Sequence, residues 1–376
     1  MTQPSHDLLE QVASSIKKIS TQALDLSFNE LLDMHLNAEI DISPDYQRLF
    51  RWTDAQQSRF LESLILGMPV PPIFVLENTE GKYELIDGLQ RISSYLHFRG
   101  RLSAEHLDPP VKEGDHLALT DCDIVKELNG LTFENLPIAL QIRLKRAFIR
   151  VEVIGKGTDA NFRYHMFKRL NTGGENLSEQ QIRNCSIRLL GATLPNYIIK
   201  LSEYEPFKDC TRSLTQERRL SAFDQELVLR FFAFKNRRER FKHEVSDFLT
   251  DYMEDVASNA AGFSYEDEER IFQKTFTLLS RALNEYAFAF ANRKKRELSA
   301  GFSIYHYEAI TVGMQSVLHR IDPENTAHVT KLEATLREIK LHEDFIGLTT
   351  GGGKNSPGPL NLRIGFVEGR LLHAFN

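Results

Sequence analysis

Apolar positions between residues 53 and 66 recur at helical spacing, with Phe60, Leu61, Leu64 and Ile65 on one face. Thr53 with Gln56 three residues on has the form of a capping box. Gly67 suits the left-handed residue that closes a helix, and Pro69 stops it. Pro71-Pro72 then leads into the apolar run Ile73–Leu76, which reads as a strand. Asn78-Thr79-Glu80-Gly81 is turn chemistry, and Tyr83–Ile86 reads as the returning strand. Asp87-Gly88 breaks it, and a second helix opens near Leu89, carries Ile92, Tyr95 and Leu96 on one face, and ends at Gly100.

The flanking pattern is less regular. Residues 1 to 20 read as a frayed or helical lead-in, followed by a polar stretch punctuated by Ser20, Ser27 and Ser43, with Pro44 favouring an extended or turn conformation. Residues 101 to 140 carry Pro109, Pro110, Gly114 and Gly130 and show no clear period. Phe148–Ile154 reads as a strand, and Asp159–Leu170 as a helix ended by Asn171-Thr172-Gly173-Gly174. Ser178 with Gln181 forms a second capping box, opening a helix to Leu190 that Gly191 stops. From residue 192 onward the pattern is almost wholly helical. It is interrupted by a loop from Gly351 to Pro359 and closed by a helix over Leu362–Leu372. No internal repeat is visible. The chain thus reads as an α+β first half followed by a mainly helical second half.

Composition narrows the class. The 376 residues are 41% hydrophobic and 26% charged, an ordinary globular balance, and the length suits two domains. A formal net charge of −6 excludes a uniformly basic nucleic-acid coat but not a local basic face. Cys122, Cys185 and Cys210 are far apart and form no CxxC pair, so neither a zinc site nor a disulfide framework is indicated, and no metal ligands are assigned. The polar N-terminus has no apolar signal core, and no apolar run approaches the ~18 residues of a membrane span. A cytoplasmic protein is expected.

The segment from Tyr83 to Leu96 carries the most chemistry. A strand ends, Gly88 permits an otherwise strained backbone, and a helix starts at once. A helix N-terminus presents N–H groups and partial positive charge to an anion. Arg91 in its first turn has a planar fork that matches phosphate oxygens, and Gln90 adds a neutral donor and acceptor. Asp87 suits a role in holding Mg²⁺, orienting Arg91 or positioning water. The same residues also fit plain turn chemistry, with Asp87 as N-cap and Arg91 a solvated charge.

Three further candidates follow. Gln47, Arg48 and Arg51 beside Tyr46 and Trp52 fit phosphate gripping with base stacking, although Trp52 reads better as a core anchor. Asn171, Thr172, Gly173 and Gly174 suit either an anion-binding nest or a helix cap. Two basic stretches stand against the acidic average: Arg143, Lys145, Arg146 and Arg150, and a longer one that includes Arg237, Arg238 and Arg240. The longer stretch interleaves with Phe231, Phe232, Phe234 and Phe241. It reads either as a nucleic-acid contact or as core phenylalanines with a solvated charged face.

Taken in order, Ser43-Pro44-Asp45-Tyr46-Gln47-Arg48, Trp52, Glu62–Ile73, Ile86-Asp87-Gly88-Leu89-Gln90-Arg91 and Leu170–Gly174 resemble the N-terminal domain of GmrSD-type type IV restriction enzymes. The resemblance covers roughly residues 20 to 190 and leaves 191 to 376 as a helical domain without a diagnostic motif. It implies a ParB/sulfiredoxin-like core with a small mixed sheet. It also implies nucleotide binding, with hydrolysis in some relatives, at Asp87, Gly88, Gln90 and Arg91, with Gln47 and Arg48 lining the same pocket. Leu89 departs from the family signature, which usually has Gln there, and the lost amide bears on hydrolysis more than on binding.

Family members often carry a C-terminal HNH nuclease domain. Glu105-His106-Leu107-Asp108-Pro109 superficially resembles an HNH opening, but no later His-bearing element matches it, so it reads as a loop and a stand-alone member is expected. The expectation is therefore a nucleotide-binding protein or NTPase acting against foreign, modified DNA. Its expected ligand is a nucleoside triphosphate with Mg²⁺, and its expected partners are DNA and either a separate nuclease or further copies of the chain, with no membrane partner. The alternatives are a DNA-binding adaptor in which the same turn grips the backbone, and a nuclease whose site lies in the N-terminal fold.

Overall fold

The computed structural model describes residues 3–16, 20–42, 50, 52–78, 80–105, 107, 109–156, 158, 166, 178–188, 190–242, 244–259, 262–292, 297–299 and 301–376. The chain divides into two compact units, Met1–Asn176 and Leu177–Asn376.

In the first unit the elements run α1 (Gln3–Ile16), β1 (Thr21–Ser27), α2 (Phe28–Leu36), β2 (Ile40–Asp41), α3 (Asp54–Leu66), β3 (Ile73–Glu77), β4 (Tyr83–Asp87), α4 (Leu89–Phe98), α5 (Ile138–Arg146) and β5 (Phe148–Ile154). Five strands form one mixed sheet in the order β1-β5-β3-β4-β2. β5 runs antiparallel to β1 and parallel to β3, while β4 runs antiparallel to β3 and parallel to β2. Alternation along β5 turns Ile149, Val151 and Val153 into the core and leaves Phe148 and Arg150 exposed. The core also takes Phe28, Leu61, Leu85, Tyr95, Leu96 and Phe98. Phe28 sits between the rings of Tyr95 at 5.2 Å and Phe60 at 6.0 Å, joining α2, α3 and α4.

The α3 capping box forms as its sequence directs: Thr53 Oγ1 accepts from Gln56 N, and Gln56 Oε1 accepts from Thr53 N. Gly67 closes the helix at φ 76°. The apolar stripe is only half of this helix's burial, because Gln57, Ser58 and Glu62 are buried too. Glu62 accepts the N–H groups of Asp123, Ile124 and Val125, and Ser58 Oγ accepts that of Thr120. These bonds fix the irregular segment after α4, whose Leu117, Leu119, Leu128 and Phe133 fill the core edge. Ala104 and Val111 pair across an isolated bridge in the loop that contains Glu105 to Pro109, while His106 and Asp108 lie outside the described residues.

Two elements correct the sequence reading. The stretch around Ser20 and Ser27 is not merely polar: it forms β1 and α2. β1 is an edge strand with only Ala23, Leu24 and Leu26 apolar, too few for a visible alternation. Ser27 caps α2, its Oγ accepting from Glu30 N.

Among its described residues the second unit is helical except for a short hairpin, Phe290–Asn292 with Glu297–Ser299, that the helical pattern hides. Ser178 and Gln181 form the second capping box, opening the helix Glu179–Arg188. Phe207, Phe231, Phe232, Phe272 and Phe276 form the centre of the core. Alongside runs a ladder of buried charges: Arg183 to Glu226 at 3.2 Å, Glu226 to Arg230 at 2.9 Å, Arg230 to Glu308 at 2.7 Å, and Glu308 to Arg363. The last helix is Pro357–Ala374, longer than the sequence reading at both ends. Pro357 belongs to its first turn, where a missing N–H is harmless, and not to the preceding loop. The proposed helix over 159 to 170 falls almost wholly outside the described residues. Among the described residues no helix is long and apolar enough to cross a membrane.

Candidate functional site

The strand–turn–helix at Asp87–Arg91 has the anticipated geometry. Asp87 ends β4 opposite Phe74, where the register with β3 shifts: Val75 pairs with Leu85 and Phe74 with Asp87. Such bulges re-aim the residues that follow them. Gly88 then takes φ 114°, ψ 9° and serves as N-cap of α4. It is irreplaceable on two counts. L side chains rarely adopt that φ, and a Cβ here would lie 2.2 Å from Ile73 Cγ2.

The N-cap of α4 is Gly88, which has no side chain to cap the helix. Asp87 is therefore not an N-cap residue. Its Oδ2 instead accepts from Arg91 Nη2 at 2.6 Å, and the same nitrogen reaches the Pro72 carbonyl at 3.2 Å. Nor is Arg91 a solvated charge, since its side chain is only 14% exposed against 39% for Asp87. Arg91 Nε is buried with no hydrogen-bond partner among the described residues.

Gln90 turns the other way. Its Oε1 accepts from Trp52 N at 3.0 Å. The Trp52 carbonyl accepts from Gln57 Nε2 at 3.0 Å, and Gln57 Oε1 meets His97 Nδ1 at 2.8 Å. Because the Gln57 amide nitrogen is committed to Trp52 and Asp54, its oxygen must accept, which places the proton on His97 Nδ1. Burial holds the His97 imidazole below its ordinary pKa, against the pull of Asp54 and Asp115. Sequence reading missed Gln57 and His97. Both are lone polar residues on otherwise apolar helix faces, and nothing in their spacing marks them as a pair. Trp52 itself is half-buried, packing edge-on to Phe60 at 5.6 Å as part of the core periphery. Leu89 also packs on that core.

Gln47, Arg48, Arg51, Asn171, Thr172, Gly173 and Gly174 lie outside the described residues. Arg237, Arg238 and Arg240 lie in the second unit, and each is matched by a carboxylate. Arg237 and Arg240 pair with Asp255, the latter at 3.3 Å, and Arg238 pairs with Glu368 at 3.1 Å. The groove beside them is also lined by Glu239, Glu244, Asp247 and Glu254. Phe231, Phe232, Phe234 and Phe241 are core. Among the described residues no group of three or more His, Cys, Asp or Glu side chains is placed to hold a metal ion.

The first-unit turn can therefore present an anion with the N-terminus of α4, beside a guanidinium held by the Asp87 carboxylate. Comparison with known proteins bears on this arrangement. Residues 28–188 match the family model described as GmrSD restriction endonuclease, N-terminal domain. No curated protein and no solved structure matches the chain. The matched span begins where β1 ends and contains strands β2 to β5, the Asp87–Arg91 turn and α4. Residues 28–188 of this chain belong to the GmrSD restriction endonuclease N-terminal domain family.

Proposed function

We propose that the Gly88–Arg91 turn binds the phosphates of a nucleoside triphosphate, and that this binding, with hydrolysis following it, serves the restriction of foreign, modified DNA. The observation that carries the reading is Arg91, held at the head of α4 by Asp87 and mostly buried there. A buried Nε without a partner costs about 1–3 kcal/mol. Such a group is retained more readily for a ligand than for folding. Gly88 supports the reading as well: its left-handed conformation lets β4 end and α4 begin within one residue, which sets the helix start beside Asp87.

The residues present also fit Mg²⁺ arriving with the nucleotide. Mg²⁺ in such sites is held by one or two carboxylates together with substrate phosphates, so a three-ligand protein cluster is not required. Asp87 is the carboxylate in position, and bound Mg²⁺ would supply charge neutralisation along the phosphates. Arg91 orients the phosphate, and Gln90 keeps the preceding Trp52 segment in place through its peptide N–H. Calorimetric titration with the four nucleoside triphosphates and Mg²⁺ tests the reading. Wild type should bind at least one of them, and Arg91→Ala should weaken that binding.

A further inference from the structure

A second surface of the first unit is unexplained by the phosphate-binding turn. The C-terminus of α5, the start of β5 and the end of α3 enclose a groove of about 750 Å³. Its apolar lining includes Met68, Ile142 and Phe148, and its cationic lining is Arg143, Arg146 and Arg150. Among the described residues no Asp or Glu lines it.

Three observations separate it from an ordinary solvated face. First, Arg143 and Arg146 form no ion pair among the described residues; Arg143 donates only to the Leu66 carbonyl at 3.2 Å, while Arg150 is already paired with Asp25. Second, Phe148 is 69% exposed, and Met68 and Ile142 are each 42% exposed beside it. Third, the contrast with the groove at Arg237 and Arg240 is sharp, since Glu239, Glu244, Asp247, Asp251, Glu254 and Asp255 line that one beside its cations. The dipole of α5 accounts for basic residues in its last turn, but not for an aromatic ring left in water next to them.

We infer that this groove binds a single strand of nucleic acid, with a base stacked on Phe148 and phosphates on Arg143 and Arg146. The chemistry is that of strand-binding grooves, in which cations track the backbone and an aromatic face takes a base regardless of sequence. A duplex hides its base faces and cannot use Phe148. An acidic peptide would use the arginines but gain little from the ring. The inference does not rest on nucleotide binding at Arg91, and its test contains no nucleotide.

The test is fluorescence anisotropy with labelled twelve-residue oligothymidylate and oligouridylate, a duplex of equal length, and a poly-glutamate peptide. Wild type should bind one or both single strands more tightly than the duplex and the peptide. The Arg143→Ala/Arg146→Ala double variant should lower the salt slope by about 1.4, at roughly 0.7 per phosphate contact for single strands. Phe148→Ala should weaken binding about 5- to 150-fold, the range for one stacked base. A control of equal charge change, Arg270→Ala/Arg281→Ala, removes exposed arginines already paired with Asp267 and Glu324 and should leave the slope unchanged. All of the substituted groove residues are exposed, so thermal melting should be preserved. The inference is overturned if neither strand binds, if duplex or peptide binds more tightly, or if the groove variants behave like the control.

Discussion

Arg91 reaches back one helical turn to Asp87, its Nη2 2.6 Å from Oδ2, across a glycine that no other residue can replace without moving Ile73. The pair does two things at once. It fixes the guanidinium at the start of α4, and it keeps a mostly buried cation from being left uncompensated. A phosphate arriving at the same turn would meet a side chain whose position is already set, which reduces the ordering that binding requires.

The glycine is the first point of test. Gly88→Ala should destabilise the fold by about 2–4 kcal/mol, combining left-handed strain with overpacking against Ile73. In an Ile73→Ala background the added cost of Gly88→Ala should be smaller, because the methyl it collides with is gone. Chemical denaturation of the four proteins measures both values. Equal costs in the two backgrounds would mean that Gly88 is required for its backbone conformation alone.

Trp52 separates packing from ligand stacking. Its ring meets Phe60 at the edge of the core and is half-buried. Trp52→Ala should therefore cost about 3 kcal/mol, the lower end for large aromatics, and Trp52→Phe less than about 1.5 kcal/mol. A Trp52→Ala protein with unchanged melting temperature and no nucleotide binding would make the ring a stacking platform instead.

Acid should weaken the second unit in a defined window. His306 is buried, its Nε2 at 3.1 Å from Thr349 Oγ1, and desolvation, reinforced by the Lys340 charge, pushes its pKa down to about 3. The unfolded chain binds a proton near the ordinary value of 6.5. Between those two values the unfolded state holds more protons, so stability falls as the pH drops from 6.5 towards 3. The limiting slope for one such group is about 1.4 kcal/mol per pH unit. Denaturation from pH 6.5 to 4.5 should show His306→Gln losing about 2 kcal/mol of this dependence. Parallel curves for the two proteins would assign the acid sensitivity to other groups.

The turn and its neighbours were legible in the sequence because local signals agreed there. Thr53 with Gln56 marked a helix start, Gly67 and Pro69 its end, and Asp87-Gly88 a break between strand and helix. For Phe231, Phe232, Phe234 and Phe241 helical spacing left core and nucleic-acid contact both open, and burial places the four rings in the core. What escaped depends on contacts distant along the chain. β1 is defined by its pairing with β5, a long way off along the chain, in the register Thr21 with Ile154 to Ser27 with Phe148. Glu62 serves a loop 61 to 63 residues later. The Asp87–Arg91 pair was spaced correctly for one helical turn, yet the same spacing fitted a cap and a solvated charge, and only burial decided between them.

The most direct test compares nucleotide affinities of wild type, Arg91→Lys, Arg91→Ala and Asp87→Asn by calorimetry with Mg²⁺, following phosphate release on the same samples. Arg91→Lys keeps the charge but loses the fork, so binding should weaken, and Arg91→Ala should weaken it by about 10- to 100-fold, equivalent to roughly 1.5–3 kcal/mol. Asp87→Asn retains an acceptor oxygen for Arg91 but removes its countercharge, so it should cost some stability and slow phosphate release in a protein that still folds and binds nucleotide. Circular dichroism confirms the fold in each case. Wild-type affinity in a folded Arg91→Ala protein would contradict the account and remove the turn from the binding site.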